Sequence, residues 1–289
     1  MDIATFIKTE ADNIWDPDTK HFHESVARLE RFCNYNENGN RDINEIEARD
    51  IRDFQKYLAS LVHETGQKKD QRILTATSIN RYSSAISALI KHAVLKKHAT
   101  YVPYVRYKSE GDGRPRFFTE QEQKRLVAFL RRSRAPWMAD MVILSLQTGM
   151  RHGEILKIGT KHSELIIGGK MPKLRLHETK NGDRRDVYLN KVAKAAYDAL
   201  NGGNSYSHRV FYNVWAEARY TIARGDEDFV FHVCRHTAAT KMANALGFDT
   251  TLIGKTLGHR SSETTKKYIK LTDDSSVAIA EAMCNAEAN

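Results

Sequence analysis

The stretch Phe231–Tyr268, FHVCRHTAATKMANALGFDTTLIGKTLGHRSSETTKKY, collects histidines, arginines and a tyrosine near the C-terminal end of the chain. If His232-Val-Cys-Arg235 is helical, His232 and Arg235 share one face, because residues three apart are neighbours on a helix. A guanidinium stays protonated and can hold two phosphate oxygens at once. Tyr268 offers a phenol, which needs a proton acceptor or cationic surroundings to attack at neutral pH. The stretch therefore indicates phosphodiester chemistry that uses no metal.

Five motifs follow one another over about half of the chain: TGMRHGEIL from Thr148, ETKNG from Glu178, HVCRH, LGH and TTKKYIKL. In order and spacing they resemble the tyrosine recombinase (phage integrase) family. Six family positions are present in the family's order, which is a far stronger signal than any single motif. They are Arg151, Lys180, His232, Arg235, His259 and Tyr268.

The resemblance implies a role for each of these side chains. Tyr268 attacks the scissile phosphate and leaves a 3' phosphotyrosine and a free 5' hydroxyl. Arg151, Arg235 and His259 stabilise the pentavalent phosphate oxygens. Lys180 protonates the leaving 5' oxygen, with Lys173 and Arg184 as nearby alternatives. His232 helps to take the proton of the tyrosine.

Composition agrees with a partner that is a polyanion. The formal net charge is +9 over 289 residues, which indicates nucleic acid first and acidic membrane second. No apolar run is long enough to span a bilayer, and neither end forms a basic amphipathic helix, so we expect no membrane partner. The start lacks the features of a signal peptide, and the three cysteines contain no CxxC pair. A reducing cytoplasm, that of a bacterial host cell, is the expected location.

A length of 289 residues predicts two domains. Residues 1–106 are predicted to be helical only, with amphipathic periodicity in Lys20–Phe32, Ile43–Val62 and Ala76–Leu95. The last segment has a polar face that carries Arg81 and Lys91. Such a face is most often solvated, but the resemblance implies a helical domain that clamps the crossover site, with these two residues on DNA.

The segment from Arg106 to Arg116, RYKSEGDGRPR, has no periodicity and is rich in glycine and basic residues. It predicts a linker at 107–116. The segment is either a solvated loop or a second set of contacts to the DNA backbone. Its basic residues in that set are Arg106, Lys108, Arg114 and Arg116.

The catalytic domain is predicted at 117–289 and opens with a capping box, Thr119-Glu-Gln-Glu122. The segment Met138–Leu156 predicts an apolar helix, a break at Thr148-Gly149 and a short helix with Arg151 and Glu154. These two residues are three apart and can form an ion pair. The pair is both structural and functional, since Glu154 is expected to hold Arg151 against the phosphate.

Short apolar runs between Ser163 and Asn190, punctuated by Gly and Pro, predict a small three-stranded sheet. Asn181-Gly182 is a strong two-residue hairpin signal, and it places Lys180 on the turn between the second and third strands. The fold class is therefore mainly α: a helical N-terminal domain, and an α+β catalytic domain with a small antiparallel sheet.

The remaining segments predict helices that carry no chemistry. These are Val192–Leu200, Arg209–Ile222 and a short apolar helix at Ser275–Met283. The last one packs either on its own domain or, as the resemblance implies, on a neighbouring protomer. His232 and His236 have the i, i+4 spacing of a zinc pair, but no general-base Glu or third ligand accompanies them. We therefore expect no metal. His236 is either a catalyst or a supporting residue.

The sequence as a whole predicts a site-specific DNA recombinase of a phage or mobile element. It is expected to act on double-stranded DNA as a homo-tetramer on two sites, with accessory proteins that bend DNA or set direction as further partners. No cofactor is expected, because the phosphotyrosine link conserves the energy of the bond. The alternatives are a type IB topoisomerase and a DNA-binding protein with a silent active site.

Overall fold

The computed structural model describes residues 1–65, 70–111, 116–177, 184–201, 206–245 and 249–258, together with Thr265. The chain divides into two compact units, Met1–Gly113 and Arg114–Asn289. Within the described residues, no helix combines the length and the apolarity needed to cross a bilayer.

The N-terminal unit is built on four α-helices: α1 (Ile3–Ile14), α2 (Lys20–Asn34), α3 (Ala48–Ser60) and α4 (Ala76–Leu95). Three of them have a polar N-cap residue: the side chains of Asp2, Thr19 and Thr75 each accept a hydrogen bond from a backbone N–H of the first turn. Two 3-10 helices, Tyr35–Asn40 and Ile43–Glu45, lie between α2 and α3. The helices bury one apolar face each around a common core, which includes Phe6, Leu29, Phe32, Phe54, Leu58, Ile86 and Leu89.

The prediction that this region is only helical is wrong. Strands β1 (Val62–Thr65) and β2 (Asp70–Ile73) form an antiparallel hairpin between α3 and α4, with Val62 opposite Ile73 and Thr65 opposite Asp70. Helix α3 accordingly ends at Ser60 and does not continue to Val62. The strands are four residues long and mostly polar, so they lack the apolar alternation by which a half-buried strand is recognised.

The end of the N-terminal unit is tied to its helices by side-chain amides. Gln55 donates to the carbonyl of Arg106 at 3.0 Å. Asn80 on α4 donates to the carbonyl of Lys108 at 2.9 Å and accepts from its N–H at 2.8 Å. It also donates to the Glu110 carboxylate at 2.7 Å. Residues 106–110, most of which lie in the predicted linker, therefore run along α4.

The C-terminal unit contains seven further α-helices within the described residues. They are α5 (Glu120–Arg132), α6 (Trp137–Thr148), α7 (His152–Ile155), α8 (Lys191–Asn201), α9 (His208–Ala223), α10 (His232–Ala245) and α11 (Thr250–Leu257). The predicted capping box opens α5, where Thr119 and Glu122 satisfy each other's backbone N–H groups. Helix α6 is apolar on nearly all sides and is buried against α5, α8 and α10. It is the centre of this unit.

The predicted three-stranded antiparallel sheet is confirmed, in the order β3 (Ser163–Ile166), β4 (Lys173–Leu176) and β5 (Arg185–Tyr188). Lys173 lies opposite Ile166 on one side and opposite Tyr188 on the other. Successive side chains point to opposite faces of a sheet, and on β5 this buries Arg185 and Val187 while Asp186 and Tyr188 are more exposed. The mainly helical, two-unit fold class holds as predicted.

Candidate active site

The break after α6 forms one corner of the site. Gly149 ends α6 with φ +70°, a left-handed conformation that glycine adopts without strain. A side chain here would also collide with Leu257 of α11. Only glycine therefore lets the chain turn at this point and lets α11 approach it. Two residues later the chain reaches Arg151.

Arg151 is held by Glu154 in two ways. The carboxylate accepts hydrogen bonds from the backbone N–H of Arg151 at 2.8 Å and from its guanidinium at 2.9 Å. The same carboxylate therefore both caps α7 and orients the Arg151 side chain. Glu154 itself is 3% exposed. Because a buried carboxylate without a partner is costly, the pairing is strongly favoured. The expected contact between these two residues is present.

Arg235 lies in the first turn of α10 and is 1% exposed. Its guanidinium donates to the carbonyl of Gly149 at 2.7 Å and to that of Leu257 at 2.7 Å. These two carbonyls are the ends of α6 and α11, which leave C=O groups unpaired as all helix ends do. One arginine therefore joins three helices, and the two backbone carbonyls fix its orientation.

Asp249 caps the start of helix α11, where its side chain accepts two backbone N–H groups. Gly258 caps the end of the helix in the left-handed conformation. Arg151 donates to the carbonyl of Gly258 at 3.3 Å. Arg151 and Arg235 are thus attached to consecutive carbonyls of one helix end. The next residue of the chain is His259, the third predicted phosphate ligand, which lies outside the described residues.

His232 and His236 occupy successive turns of α10, with ring centroids 4.7 Å apart. His232 is exposed and His236 is half-buried. Burial lowers the pKa of His236 below its ordinary value and nearby Arg235 adds to this, although a hydrogen bond with the backbone of Arg116 opposes it. Among the described residues, no three His, Cys, Asp or Glu side chains are grouped so that they could hold a metal ion.

Cys234 lies between these histidines in the sequence but is fully buried in the core. Burial raises the pKa of its thiol. A buried thiol that stays protonated behaves as a small apolar side chain. Its place in the core matches the expectation that Cys234 is packed inside.

Three of the six predicted catalytic residues, Lys180, His259 and Tyr268, lie outside the described residues, as does Arg114. Thr265, three positions before Tyr268, is buried, and a side chain at Gly254 of α11 would lie 3.1 Å from its hydroxyl. Thr265 itself therefore lies close to α11.

The two alternatives to Lys180 have different surroundings. Lys173 donates to Asp186 at 2.6 Å, and Arg175 pairs with the same carboxylate at 2.9 Å. Arg184 is exposed. The charge of Lys173 is already paired within the sheet, which argues against Lys173 as the proton donor.

The predicted DNA contacts fall into two groups. Arg81, Lys91 and Arg106 are exposed, and Lys108 is half-buried. Arg116 is different, because its guanidinium donates to Glu122 at 2.6 Å and to Asp226 at 2.7 Å. Two carboxylates pair with its guanidinium, so we do not include Arg116 among the proposed DNA contacts.

Arg185 is a site residue that the sequence reasoning missed. It opens β5, is 7% exposed and donates to the carbonyl of Leu257, the same carbonyl that Arg235 uses. Its Nη2 lies 3.5 Å from the Glu154 carboxylate. A signal was available, since Val187 and Leu189 follow at two-residue spacing and place Arg185 on the inner face of the strand.

Comparison with known protein families gives a match in each of the two units. The description of the phage integrase family matches residues 116–275, and that of the phage integrase SAM-like domain matches residues 4–109. A shufflon-specific DNA recombinase of Escherichia coli is 28% identical over 80% of this chain, and the match spans 59% of that protein's length. Tyrosine recombinase XerC of Staphylococcus saprophyticus is 24% identical over 88% of this chain and 86% of its own.

Among solved structures, the integrase of transposon Tn1549 in complex with circular intermediate DNA has the same fold. It aligns with a TM-score of 0.69 at 16% identity and covers 97% of this chain and 99% of its own. At this identity the likeness concerns the fold alone.

Proposed function

The chain belongs to the phage integrase family, and we propose that it is a site-specific DNA recombinase that works through a 3' phosphotyrosine. The observation that carries this proposal is the attachment of Arg151 and Arg235 to consecutive carbonyls of one helix end. Two fixed guanidinia side by side suit the charge that develops on a phosphodiester under attack. Relatives named as DNA recombinases and the order of the six family positions support it.

In the proposed reaction the hydroxyl oxygen of Tyr268 attacks the scissile phosphorus. The bond from phosphorus to the 5' oxygen breaks, and Lys180 gives that oxygen a proton. Arg151, Arg235 and His259 stabilise the additional charge on the non-bridging oxygens. His232, exposed at the start of α10, helps to take the tyrosine proton.

The 5' hydroxyl of a partner strand then attacks the phosphotyrosine and releases Tyr268. One phosphodiester is lost and one is made, so the two steps conserve the bond energy and need no nucleotide cofactor. Arginines act here as electrostatic stabilisers, and their role requires that they be oriented before the substrate arrives. The carbonyl and carboxylate bonds of Arg151 and Arg235 provide that orientation.

The proposed partner is double-stranded DNA, bound at a specific site in the cytoplasm of a bacterial cell. The net charge of +9 favours a polyanion. We place the core-site-binding domain at 1–106, the linker at 107–116 and the catalytic domain at 117–289. The basic residues Arg81, Lys91, Arg106 and Lys108, with Arg114, contact the DNA backbone, and four protomers assemble on two sites with accessory proteins. The element served is a phage or another mobile element.

The deciding experiment traps the covalent intermediate on a nicked duplex that carries the recombination site. Wild type is compared with Tyr268→Phe, and Tyr220→Phe is the matched control because Tyr220 is 79% exposed on α9. We expect a 3' adduct on a denaturing gel with wild type and Tyr220→Phe and none with Tyr268→Phe, which still binds the duplex. A bound site without a wild-type adduct would indicate a silent DNA-binding protein.

The role of Lys180 is tested on the same duplex with a 5' thiolate as leaving group. A thiolate needs little protonation, so we expect Lys180→Ala to cleave the ordinary duplex slowly and the thiolate duplex at nearly the wild-type rate. Lys170→Ala is the control, since Lys170 is an exposed lysine between β3 and β4. Failure of the rescue would assign the proton donor to another residue. Strand exchange between two duplexes then separates a recombinase from a topoisomerase.

A further inference from the structure

Arg185 is a buried guanidinium that the proposed mechanism does not use. It follows the segment that carries Lys180 and points inward from β5 to the end of α11, where it donates to the carbonyl of Leu257. Contact is tight, because a side chain at Gly258 would lie 3.0 Å from Cδ of Arg185. The residue therefore joins the sheet to the helix end that Arg151 and Arg235 share.

Only part of the hydrogen-bonding capacity of Arg185 is used. Its Nε and Nη2 atoms are buried and have no hydrogen-bond partner among the described residues, although Nη2 lies 3.5 Å from the carboxylate of Glu154. Native proteins satisfy nearly all buried donors, so an exception requires a reason other than stability.

The charges around Arg185 also indicate a role other than stability. Burial lowers the pKa of its guanidinium; Glu154 opposes this shift, and Arg151 adds to it. Glu154 is the one carboxylate that the structure places against either of these arginines within the described residues. A single negative charge thus serves two guanidinia. Apolar side chains of similar size often replace buried charges without loss of stability, so stability alone does not account for a guanidinium at this position.

We propose that Arg185 is a positioning residue for strand cleavage. Its guanidinium holds the carboxylate of Glu154 and the last carbonyl of α11, and so orients Arg151 and Arg235 toward one phosphate. This role rests on the proposed function and goes beyond its six residues.

Arg185→Met tests the proposal, with Arg209→Met as the control, since Arg209 is an exposed arginine on α9. Cleavage of the nicked duplex is measured at saturating protein, the dissociation constant is measured separately, and Tm is recorded. We expect the cleavage rate of Arg185→Met to fall by about 10- to 100-fold, the effect of a small misplacement of catalytic groups. The dissociation constant stays unchanged and Tm is equal or higher. Arg209→Met should match wild type in all three measurements.

Arg185→Lys adds a second measurement that keeps the positive charge. One ammonium lacks the planar fork that reaches the carbonyl and the carboxylate together, so we expect a cleavage rate between those of wild type and Arg185→Met. If the methionine variant does not fold, the lysine variant decides, and a wild-type rate from it would overturn the proposal.

Two other results contradict the positioning role. Wild-type cleavage by Arg185→Met would show that the residue is dispensable, and a parallel fall in Tm and DNA binding would reduce it to a structural residue. If wild type itself forms no adduct that depends on Tyr268, the proposed function fails and the role of Arg185 in it fails too. That outcome is separate, because it is seen before any arginine is changed.

Discussion

Two groups of arginines in the C-terminal unit differ in how their charge is balanced. In the first, which we term the Arg116 cluster, one guanidinium pairs with Glu122 and Asp226 and lies 5.2 and 5.1 Å from the ring centres of Phe118 and Phe229. Burial alone would lower the pKa of Arg116, but the two carboxylates outweigh it and the pKa is raised. The charge is neutralised, and none is left for a ligand.

The second group, which we term the α11 cluster, consists of Arg151, Arg185 and Arg235 around the Leu257–Gly258 end of α11. Backbone carbonyls accept from all three guanidinia, and Glu154 is a carboxylate that two of them share. A carbonyl orients a guanidinium without cancelling its charge. Arg116 pairs with two carboxylates, whereas Arg151 and Arg185 share one carboxylate and also donate to backbone carbonyls. We expect the first arrangement to stabilise the fold and the second to leave positive charge available to an anion.

The largest effect is expected from a substitution that disrupts the α11 cluster. Arg235→Lys keeps the charge but loses the planar fork that bonds two carbonyls, so we expect the rate of covalent adduct formation to fall by about 100- to 1000-fold. Arg116→Lys is the control from the other cluster and should cleave at close to the wild-type rate. Single-turnover gels measure both. Equal losses in the two variants would contradict the distinction between the clusters.

An intermediate effect is expected from the Arg116 cluster. Arg116→Ala leaves Glu122 and Asp226 without their partner, and since the pair is only partly buried we expect the free energy of unfolding to drop by about 2 kcal/mol. Urea denaturation measures this loss. Cleavage per folded molecule should not change. A variant as stable as wild type that cleaves poorly would place Arg116 in the functional group.

The smallest effect concerns a third charge-balanced group, next to Arg185 in sequence. Hydrogen bonds from Arg175 and Lys173 lower the pKa of Asp186 to about 2. A depressed pKa stabilises the fold above the unfolded value near 4, and that stability is lost as pH falls from about 4 to about 2. Because the pair is largely solvated, we expect only about 1 kcal/mol.

Asp186→Asn should therefore lower stability at pH 7 and remove part of the acid sensitivity between pH 4 and pH 2. Urea denaturation at several pH values checks this. Asp198→Asn is a suitable control, since Asp198 is an exposed carboxylate paired with Lys194 within α8. An unchanged pH profile in Asp186→Asn would show that the exposed pair contributes nothing measurable.

Sequence patterns predicted the regular parts of the fold and missed the irregular ones. The strands around Ser163–Asn190 were recognisable because apolar residues alternate between turn signals. The β1–β2 hairpin was missed because its residues are mostly polar and carry no apolar period. Residues 106–110 looked like free linker, and only the amide side chains of Gln55 and Asn80 show that they lie along α4.

In the candidate site, too, the sequence predicted one part and only the tertiary structure revealed the other. Local sequence, with the order of the family's motifs, predicted which residues carry the chemistry, because the positions of Arg151, His232 and Arg235 depend on short-range signals such as a glycine break and helical spacing. The tertiary structure alone decided what each arginine bonds to. Arg116 meets Asp226 across 110 positions of the chain, and Arg185 meets Leu257 across 72. A sequence specifies a charge locally, but the group that balances it is brought by folding from elsewhere in the chain.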